Sequence, residues 1–146
     1  MRQLAQLQSG AIKRMGNSIT DKMKIGAIGE LLVQLRLLEF GVQAAPPLKD
    51  SGNDLIAVRG EVFRGIQIKT TASSKTCKRE LPDHYHILAF VRLDADDAQL
   101  FLDRSVIYLI PRSAIERNDA LPRDLSQFAI SQALVDALFP PATEMR

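Results

Sequence analysis

The sequence predicts an α/β fold, in which helices flank a mostly antiparallel or mixed β-sheet. A strongly periodic helical segment comes first, a series of short apolar runs follows, and a second amphipathic segment closes the chain. Connections of hairpin length join several of the apolar runs, as between antiparallel strands. The 146 residues are 46% hydrophobic and 25% charged, which are values of a globular protein. We therefore expect one domain over residues 1–146.

Two helical segments are predicted before the strands. Residues 1–20 carry apolar side chains at helical spacing, which predicts a helical N-terminal extension. Residues 21–40 predict the strongest helix of the chain, since Thr20 or Asp21 can cap its start and Gly41 follows its end. The apolar stripe of this helix consists of Ile25, Ile28, Leu31, Leu32, Leu35 and Leu38.

Three strands are predicted next, and two of them form a hairpin. Residues 42–45 predict a short strand, which two prolines stop. Residues 54–58 and 62–71 predict the hairpin, with its turn at 59–60.

The second half of the chain predicts three further strands and a closing helix. The segments are a polar loop over 72–83, strands over 86–93, 99–102 and 105–110, a turn over 94–97, a helical turn over 112–117 and a C-terminal amphipathic helix over 124–140. We expect the core of the fold over 22–111, with the two terminal helical segments added to it.

The charge distribution favours polyanion binding by the first half of the chain. Residues 1–41 carry six basic and three acidic groups, residues 59–80 six and two, and residues 92–146 six and nine, although the net charge is only +2. Charge alone leaves ordinary solvated surface groups as the more common explanation.

Composition also predicts the compartment. The single cysteine, Cys77, excludes a disulfide framework and fits a reducing environment. No run approaches the roughly 18 apolar residues of a membrane helix, and polar residues interrupt any apolar signal region at the N-terminus. We expect a soluble, cytoplasmic protein without a membrane partner.

Two glycines in the strongest helix mark the first candidate residue. Gly26 and Gly29 each cost the helix about 1 kcal/mol relative to alanine, so we expect another group to approach closely there. Glu30 lies beside them at the edge of the apolar stripe. The plainer alternative is a surface glutamate on a helix that packs tightly through small residues.

Three more candidates lie in the predicted hairpin. Asp54 begins the first strand, and Gln67 and Lys69 share one face of the second, because side chains alternate along a strand. Taken singly, Asp54 is explained as a turn cap and the Gln67/Lys69 pair as the solvent face of an edge strand. Taken together, neighbouring oxygen ligands and a lysine suit Mg²⁺-assisted phosphodiester hydrolysis.

The order of these residues resembles the PD-(D/E)xK nuclease superfamily, in which an acid starts one strand, a hairpin follows, and the next strand carries an acid-x-Lys. A preceding helix of that superfamily commonly supplies a glutamate in a Gly-x-x-Gly-Glu-like context, as residues 26–30 (GAIGE) do here. The Gln67-x-Lys69 motif is similar to that of some small intron-encoded homing endonucleases and resolvase-like nucleases, which residues 105–111 also resemble. The resemblance covers residues 22–111 and implies a restriction-endonuclease-like mixed sheet flanked by helices.

The resemblance implies a DNA endonuclease that depends on Mg²⁺, with Mn²⁺ as a substitute. Glu30, Asp54 and Gln67 would bind the metal, and Lys69 would stabilise charge or position the attacking water. Gln67 departs from the usual acid, and its amide brings no charge, so we expect weaker metal binding. A catalytically silent DNA-binding module on the same fold is therefore one alternative, and a protein-interaction domain is another.

The resemblance also implies a DNA face and self-association. We expect a homo-oligomer, either a dimer or a tetramer, because small enzymes of this type usually need a partner subunit to act on both strands. The predicted DNA-binding residues are Lys22, Lys24, Thr70, Thr71, Ser73, Ser74, Lys75, Lys78 and Arg79. The alternative interpretation is that they belong to a flexible polar loop and its surroundings.

Other reactive residues give weaker signals. His84 and His86 share one strand face, but no cysteine or further histidine completes a zinc set, so we interpret them as structural or phosphate-contacting. Cys77 has no recognised catalytic partner and is interpreted as an ordinary free thiol. The absence of a glycine-rich phosphate loop argues against a nucleoside triphosphatase.

Overall fold

The computed structural model describes residues 19, 21–49, 51–72, 80–95 and 99–142. Within these ranges two α-helices and short 3₁₀ turns flank one five-stranded sheet. The helices are Asp21–Glu39 (α1) and Gln132–Leu138 (α2), and the strands are Gln43–Ala45 (β1), Leu55–Arg59 (β2), Val62–Thr71 (β3), Ile87–Ala95 (β4) and Leu100–Pro111 (β5). The predicted α/β class with a mixed sheet is confirmed.

The strands lie side by side in the order of the sequence, from β1 to β5. Every neighbouring pair is antiparallel except β3 and β4, which run parallel with Ile66 opposite Ile87. A parallel pair needs a long connection, and residues 72–86 are long enough to provide it. The predicted hairpin of β2 and β3 is present and turns at Gly60, whose φ of 59° suits glycine.

Both α-helices cover one face of the sheet. Ile66 and Ile68 of β3 project toward this face and pack in the main hydrophobic cluster. Val135 brings α2 into the same cluster. The buried side of α1 consists of Gly29, Leu32, Val33 and Leu37. Removal of this apolar surface from water stabilises the position of α1 across the sheet.

The predicted apolar stripe of α1 is only partly buried. Its exposed members are Leu31, Leu35 and Leu38, at 64%, 52% and 60%. The line of α1 that faces the sheet runs instead through Gly29, Val33 and Leu37, which are four residues apart. A spacing rule that weighs only large apolar side chains overlooks a glycine as the centre of a contact.

The opposite face of the sheet is covered by the chain between β5 and α2. This segment holds 3₁₀ turns at Arg112–Ala114, Arg117–Asp119 and Ser126–Phe128. The helical turn predicted over 112–117 therefore covers only 112–114, and the next turn begins at 117. It packs on a second buried cluster formed by Tyr85, Leu88, Phe90 and Ile110. The sheet therefore has a core on each face.

The two strands predicted over 99–102 and 105–110 are one continuous strand, β5. Polar residues separate the two apolar runs in the sequence, but β5 is an edge strand, where exposed charged side chains are tolerated. Ser105 holds the junction, because its Oγ accepts a hydrogen bond from Asp94 N–H at 3.0 Å and donates to Phe101 O at 2.9 Å. The strand β4 likewise continues to Ala95, into the turn predicted over 94–97.

The C-terminal helix is shorter than the predicted range of 124–140. It begins only after Ser131, whose Oγ accepts a hydrogen bond from Leu134 N–H at 3.2 Å. Just before it, Ala129 forms a β-bridge with Tyr108 of β5. This strand-like contact, made after the chain has crossed the second face, interrupts the helical periodicity of the sequence.

The predicted helical extension over 1–20 lies outside the described residues, apart from Ile19. Among the helices in the described ranges, none is both long enough and apolar enough to cross a membrane.

Candidate active site

A cleft of about 500 Å³ lies beside β3, at the point where β2 begins. Its walls come from three elements: the first half of α1, the residue that precedes β2, and the second half of β3. The pairing of β2 with β3 starts at Leu55 and Ile66, so the cleft occupies the space that β2 leaves along the rest of β3. The four predicted catalytic residues all line it, namely Glu30, Asp54, Gln67 and Lys69.

Asp54 is fixed in the cleft by its contacts with β3. Its backbone N–H donates to Ile66 O at 2.9 Å, and its Oδ2 accepts a hydrogen bond from Ile68 N–H at 2.7 Å. The side chain thus satisfies a backbone donor of β3 that β2 does not reach. This contact joins Asp54 to β3 across the sheet, and it orients the carboxylate in the cleft.

Gly29 allows α1 to lie unusually close to β3. A Cβ built on Gly29 would be 1.9 Å from Oγ1 of Thr70 and 2.8 Å from its Cβ, distances that no real side chain shows. The predicted close approach is therefore present at Gly29. It is not present at Gly26, where a Cβ would meet nothing within 4 Å and which lines the cleft instead.

Glu30 follows Gly29 on α1 and is carried to the cleft by that contact. Burial of its carboxylate raises the pKa of Glu30 above its ordinary value of 4.5, and the negative charge of Asp54 raises it further. Both carboxylates line the same cleft, close enough for the charge of Asp54 to act on Glu30. Such a pair is destabilised as two anions and would be stabilised by a divalent cation.

Gln67 and Lys69 lie on one face of β3, with a single residue between them. Beyond Ile66 the strand β3 pairs only with β4, so Gln67 and Lys69 lie where one edge of β3 is open toward the cleft. Gln67 is only 9% exposed and is a buried polar residue of the described structure. Lys69 is half-buried.

The predicted DNA-binding residues are divided by the structure. Lys22, Thr70 and Thr71 line the cleft. Lys24 does not, and its Nζ lies 3.8 Å from Asp21 Oδ1 on the exposed first turn of α1. The remaining members, Ser73, Ser74, Lys75, Lys78 and Arg79, fall outside the described residues together with Cys77.

The donors in the cleft fit a hard cation. They are two carboxylates and one amide oxygen, which Mg²⁺ and Mn²⁺ accept and which leave room for bound waters. In the described part of the chain, no group of three or more histidine, cysteine, aspartate and glutamate residues could hold a metal. A metal ion held in the cleft would therefore take Glu30, Asp54 and Gln67 as its protein ligands and complete its coordination with water.

A second cavity was missed by sequence reasoning. Arg64 and Arg112 line it together with the two histidines that were interpreted as structural or phosphate-contacting, His84 and His86. The sequence signal for it was limited to the basic character of residues 59–80, since Arg112 comes from a distant segment.

The chain is similar in fold to a solved structure, that of a bacterial homing endonuclease, I-Ssp6803I, with a TM-score of 0.54. The mixed sheet with α1 across it is thus a nuclease-like fold. The match covers 82% of this chain and 92% of that chain at 16% identity, so the likeness is one of fold. No family model and no curated protein matches the sequence.

Proposed function

We propose that the protein is a metal-dependent DNA endonuclease that hydrolyses phosphodiester bonds, related to the Gln-x-Lys forms of the PD-(D/E)xK superfamily. The convergence of Glu30, Asp54, Gln67 and Lys69 from three elements on one cleft carries the proposal. Structural roles alone do not require two carboxylates, an amide and an ammonium group to meet. The homing endonuclease with a similar fold supports the same class of reaction.

The carboxylates of Glu30 and Asp54 and the amide oxygen of Gln67 would hold Mg²⁺ or Mn²⁺. When bound, the ion would polarise the phosphate and acidify a water molecule. The hydrogen bond from Ile68 N–H keeps the Asp54 carboxylate oriented without a large rearrangement. Metal binding requires Glu30 to be ionised, so its raised pKa makes this step favour neutral over acidic pH.

Lys69 would act on the substrate. Its ammonium group can offset the negative charge that builds on the phosphate during attack, or donate a hydrogen bond to the attacking water. Lys22 and the hydroxyls of Thr70 and Thr71, which border the same cleft, are suited to neighbouring backbone phosphates.

A homo-oligomer follows from the number of sites. One chain supplies one cleft of this kind in its described part, and a duplex has two strands to cleave. We therefore expect a dimer or tetramer in which two clefts act on one DNA molecule.

A second candidate is a catalytically silent DNA-binding module. The observation that favours it is Gln67, an uncharged residue where related nucleases usually carry an acid. With two carboxylates instead of three, the affinity for a metal could fall below what turnover needs.

The deciding experiment is cleavage of supercoiled and branched DNA at rising Mg²⁺ or Mn²⁺ concentration. Asp54→Asn keeps an oxygen for Ile68 N–H while it removes the charge, so it should fold normally. We expect its rate to fall at least about a hundredfold, because metal-assisted charge stabilisation is worth several kcal/mol. The matched control is Asp103→Asn, at an exposed position of β5, which should cleave at the wild-type rate.

Equal cleavage by Asp54→Asn and wild type would contradict the proposal. DNA retention that falls with salt, without cleavage by the wild type at any metal concentration, would favour the silent module.

A further inference from the structure

A second cavity, separate from the cleft, lies at the end of the sheet where β3 and β4 begin and β5 ends. It measures about 660 Å³. Arg64 of β3, His84 and His86 before β4, and Arg112 after β5 line it, with Asn53 and part of α2. None of these basic residues has a role in the cleft.

The lining of this cavity has one sign of charge. It contains two arginines and two histidines and no aspartate or glutamate. Among the ion pairs of the described residues, none includes Arg64 or Arg112. Asp119 lies near enough for its charge to act on Tyr85 of the lining. A concave site lined by cationic groups that form no ion pair among the described residues attracts an anion.

The guanidinium of Arg64 is held in place and keeps donors for a ligand. Its Nε donates to Leu138 O and its Nη1 to Phe63 O, each at 3.2 Å. These bonds use two of the five N–H donors of an arginine. Arg112 is oriented differently, by stacking 5.2 Å from the centre of the Tyr85 ring.

His86 is an exposed residue of the lining that hydrogen bonds hold to its neighbours. Gly65 N–H donates to its Nδ1 at 2.8 Å, so in the neutral ring the proton lies on Nε2, which is a donor. Its backbone N–H donates to Gly65 O and its carbonyl accepts from Arg112 N–H, both at 2.9 Å. The donors of the cavity are thus arranged by the ends of three strands before any ligand arrives.

The cavity and the cleft lie along the same strand. Asn53 lines the cavity and its neighbour Asp54 lines the cleft. Along β3, Arg64 and Lys69 are separated by about 16 Å, at roughly 3.3 Å per residue. Five residues apart, the two side chains project from opposite faces of β3, and one turn of duplex DNA, about 34 Å, is longer than their separation.

We propose that this cavity binds a backbone phosphate of the DNA, away from the bond that is cleaved. The proposal rests on the proposed function, because DNA in the cleft is what brings further phosphates to the cavity. The arginines would hold the phosphate oxygens, with the Nε2 donor of His86 beside them. The site would set the position of the DNA and leave the chemistry to the cleft.

The test is binding of a fluorescent duplex in EDTA, measured by anisotropy over a range of salt concentrations. Because no divalent cation is present, it reports on binding whether or not the protein cleaves DNA. We expect Arg112→Gln to weaken binding at low salt by about tenfold or more and to lower the slope of log Kd against log salt by about 1. The control Arg123→Gln removes the same charge from an exposed residue that lines neither cavity, and should change binding less than twofold.

Arg112 is the first choice because it is exposed and its variant should keep the fold, whereas Arg64 also anchors α2. Equal salt slopes for Arg112→Gln and Arg123→Gln would overturn the proposal, even if the wild type proves to be a nuclease. A second arm follows the His84 and His86 ring signals by NMR during titration with inorganic phosphate. Shifts with phosphate, combined with DNA binding that is insensitive to Arg112, would assign the cavity to a free phosphate compound and also overturn the DNA assignment.

Discussion

The cleft and the cationic cavity meet at residues 53–54 and share β3, yet only the cleft has carboxylates in its lining. The cleft brings together Glu30 and Asp54, and burial with mutual repulsion raises the pKa of Glu30. The cavity has Arg64 and Arg112 without an acidic neighbour in its lining. The carboxylates of the cleft can bind a cation, and the arginines of the cavity can bind an anion. Two such sites along one strand suit the proposed substrate, which has one phosphate that is cleaved and others that are bound.

The two sites are also built by different forces. The cleft depends on the packing of α1 against β3 through Gly29 and Thr70. The cavity depends on backbone hydrogen bonds that join Gly65, His86 and Arg112 at the ends of three strands. Changes to α1 should therefore disturb the cleft and spare the cavity.

Lys69→Met should have the largest effect on cleavage, and it should best distinguish the role of the cleft from that of the cavity. It removes a positive charge from the cleft while it keeps the length of an apolar side chain, so we expect cleavage to fall about 10²–10³-fold. Binding of the duplex in EDTA should change little in comparison with Arg112→Gln. Single-turnover cleavage rates and anisotropy on the same preparation measure both quantities.

If Lys69→Met lost DNA binding and cleavage in parallel, the assignment of cleavage to the cleft and of DNA positioning to the cavity would be wrong. Lys49→Met, which removes an exposed lysine that lines neither site, is the control for loss of charge.

Gly29→Ala should have the next largest effect. The added Cβ would meet Thr70 at 1.9 Å, and overpacking of this kind typically destabilises a protein by about 1–3 kcal/mol. The displacement of α1 should also lower the cleavage rate. Gly26→Ala is the matched control, because its Cβ meets nothing within 4 Å and alanine favours a helix by about 1 kcal/mol.

Chemical denaturation measures the free energy of unfolding of both glycine variants, and the EDTA binding assay reports on the cavity. Thr70→Ala should partly rescue Gly29→Ala, since it removes the atoms at 1.9 and 2.7 Å but keeps the Cβ at 2.8 Å. An unchanged stability of Gly29→Ala would show that α1 does not lie as close to β3 as described.

Glu30→Gln should have the smallest effect on the stability of the fold, and this effect should depend on pH. Burial and the charge of Asp54 raise the pKa of Glu30, so the folded chain retains its proton to higher pH than the unfolded chain does. Ionised Glu30 therefore opposes folding above its folded-state pKa, and this opposition is absent below the ordinary value of 4.5. We expect Glu30→Gln to raise Tm at pH 7 and to leave it unchanged at pH 3.5.

Mg²⁺ should reduce the difference in Tm between Glu30→Gln and the wild type at pH 7, because a cation in the cleft stabilises the ionised carboxylate of the wild type. Glu116→Gln, at an exposed site outside both cavities, is the control. A lower Tm for Glu30→Gln at pH 7 in EDTA would contradict the direction of the shift.

Local sequence determined the hairpin and most of the cleft. Alternation of side chains fixed β3 over 62–71, and the short turn at Gly60 brought Asp54 beside Gln67 and Lys69. These contacts are between near neighbours in the sequence, so periodicity and turn chemistry suffice to predict them. The assignment of catalytic roles within the cleft remains a prediction.

Only the tertiary structure decided how α1 is rotated, where α2 begins and that a second site exists. The rotation of α1 is set by Gly29 against Thr70, a contact whose specificity lies in the absence of a side chain. The late start of α2 reflects a bridge between Ala129 and β5, which no helical pattern contains. The cationic cavity joins residues from three strand ends that are far apart in sequence, and local patterns carry no information about groups that meet only after the sheet has formed.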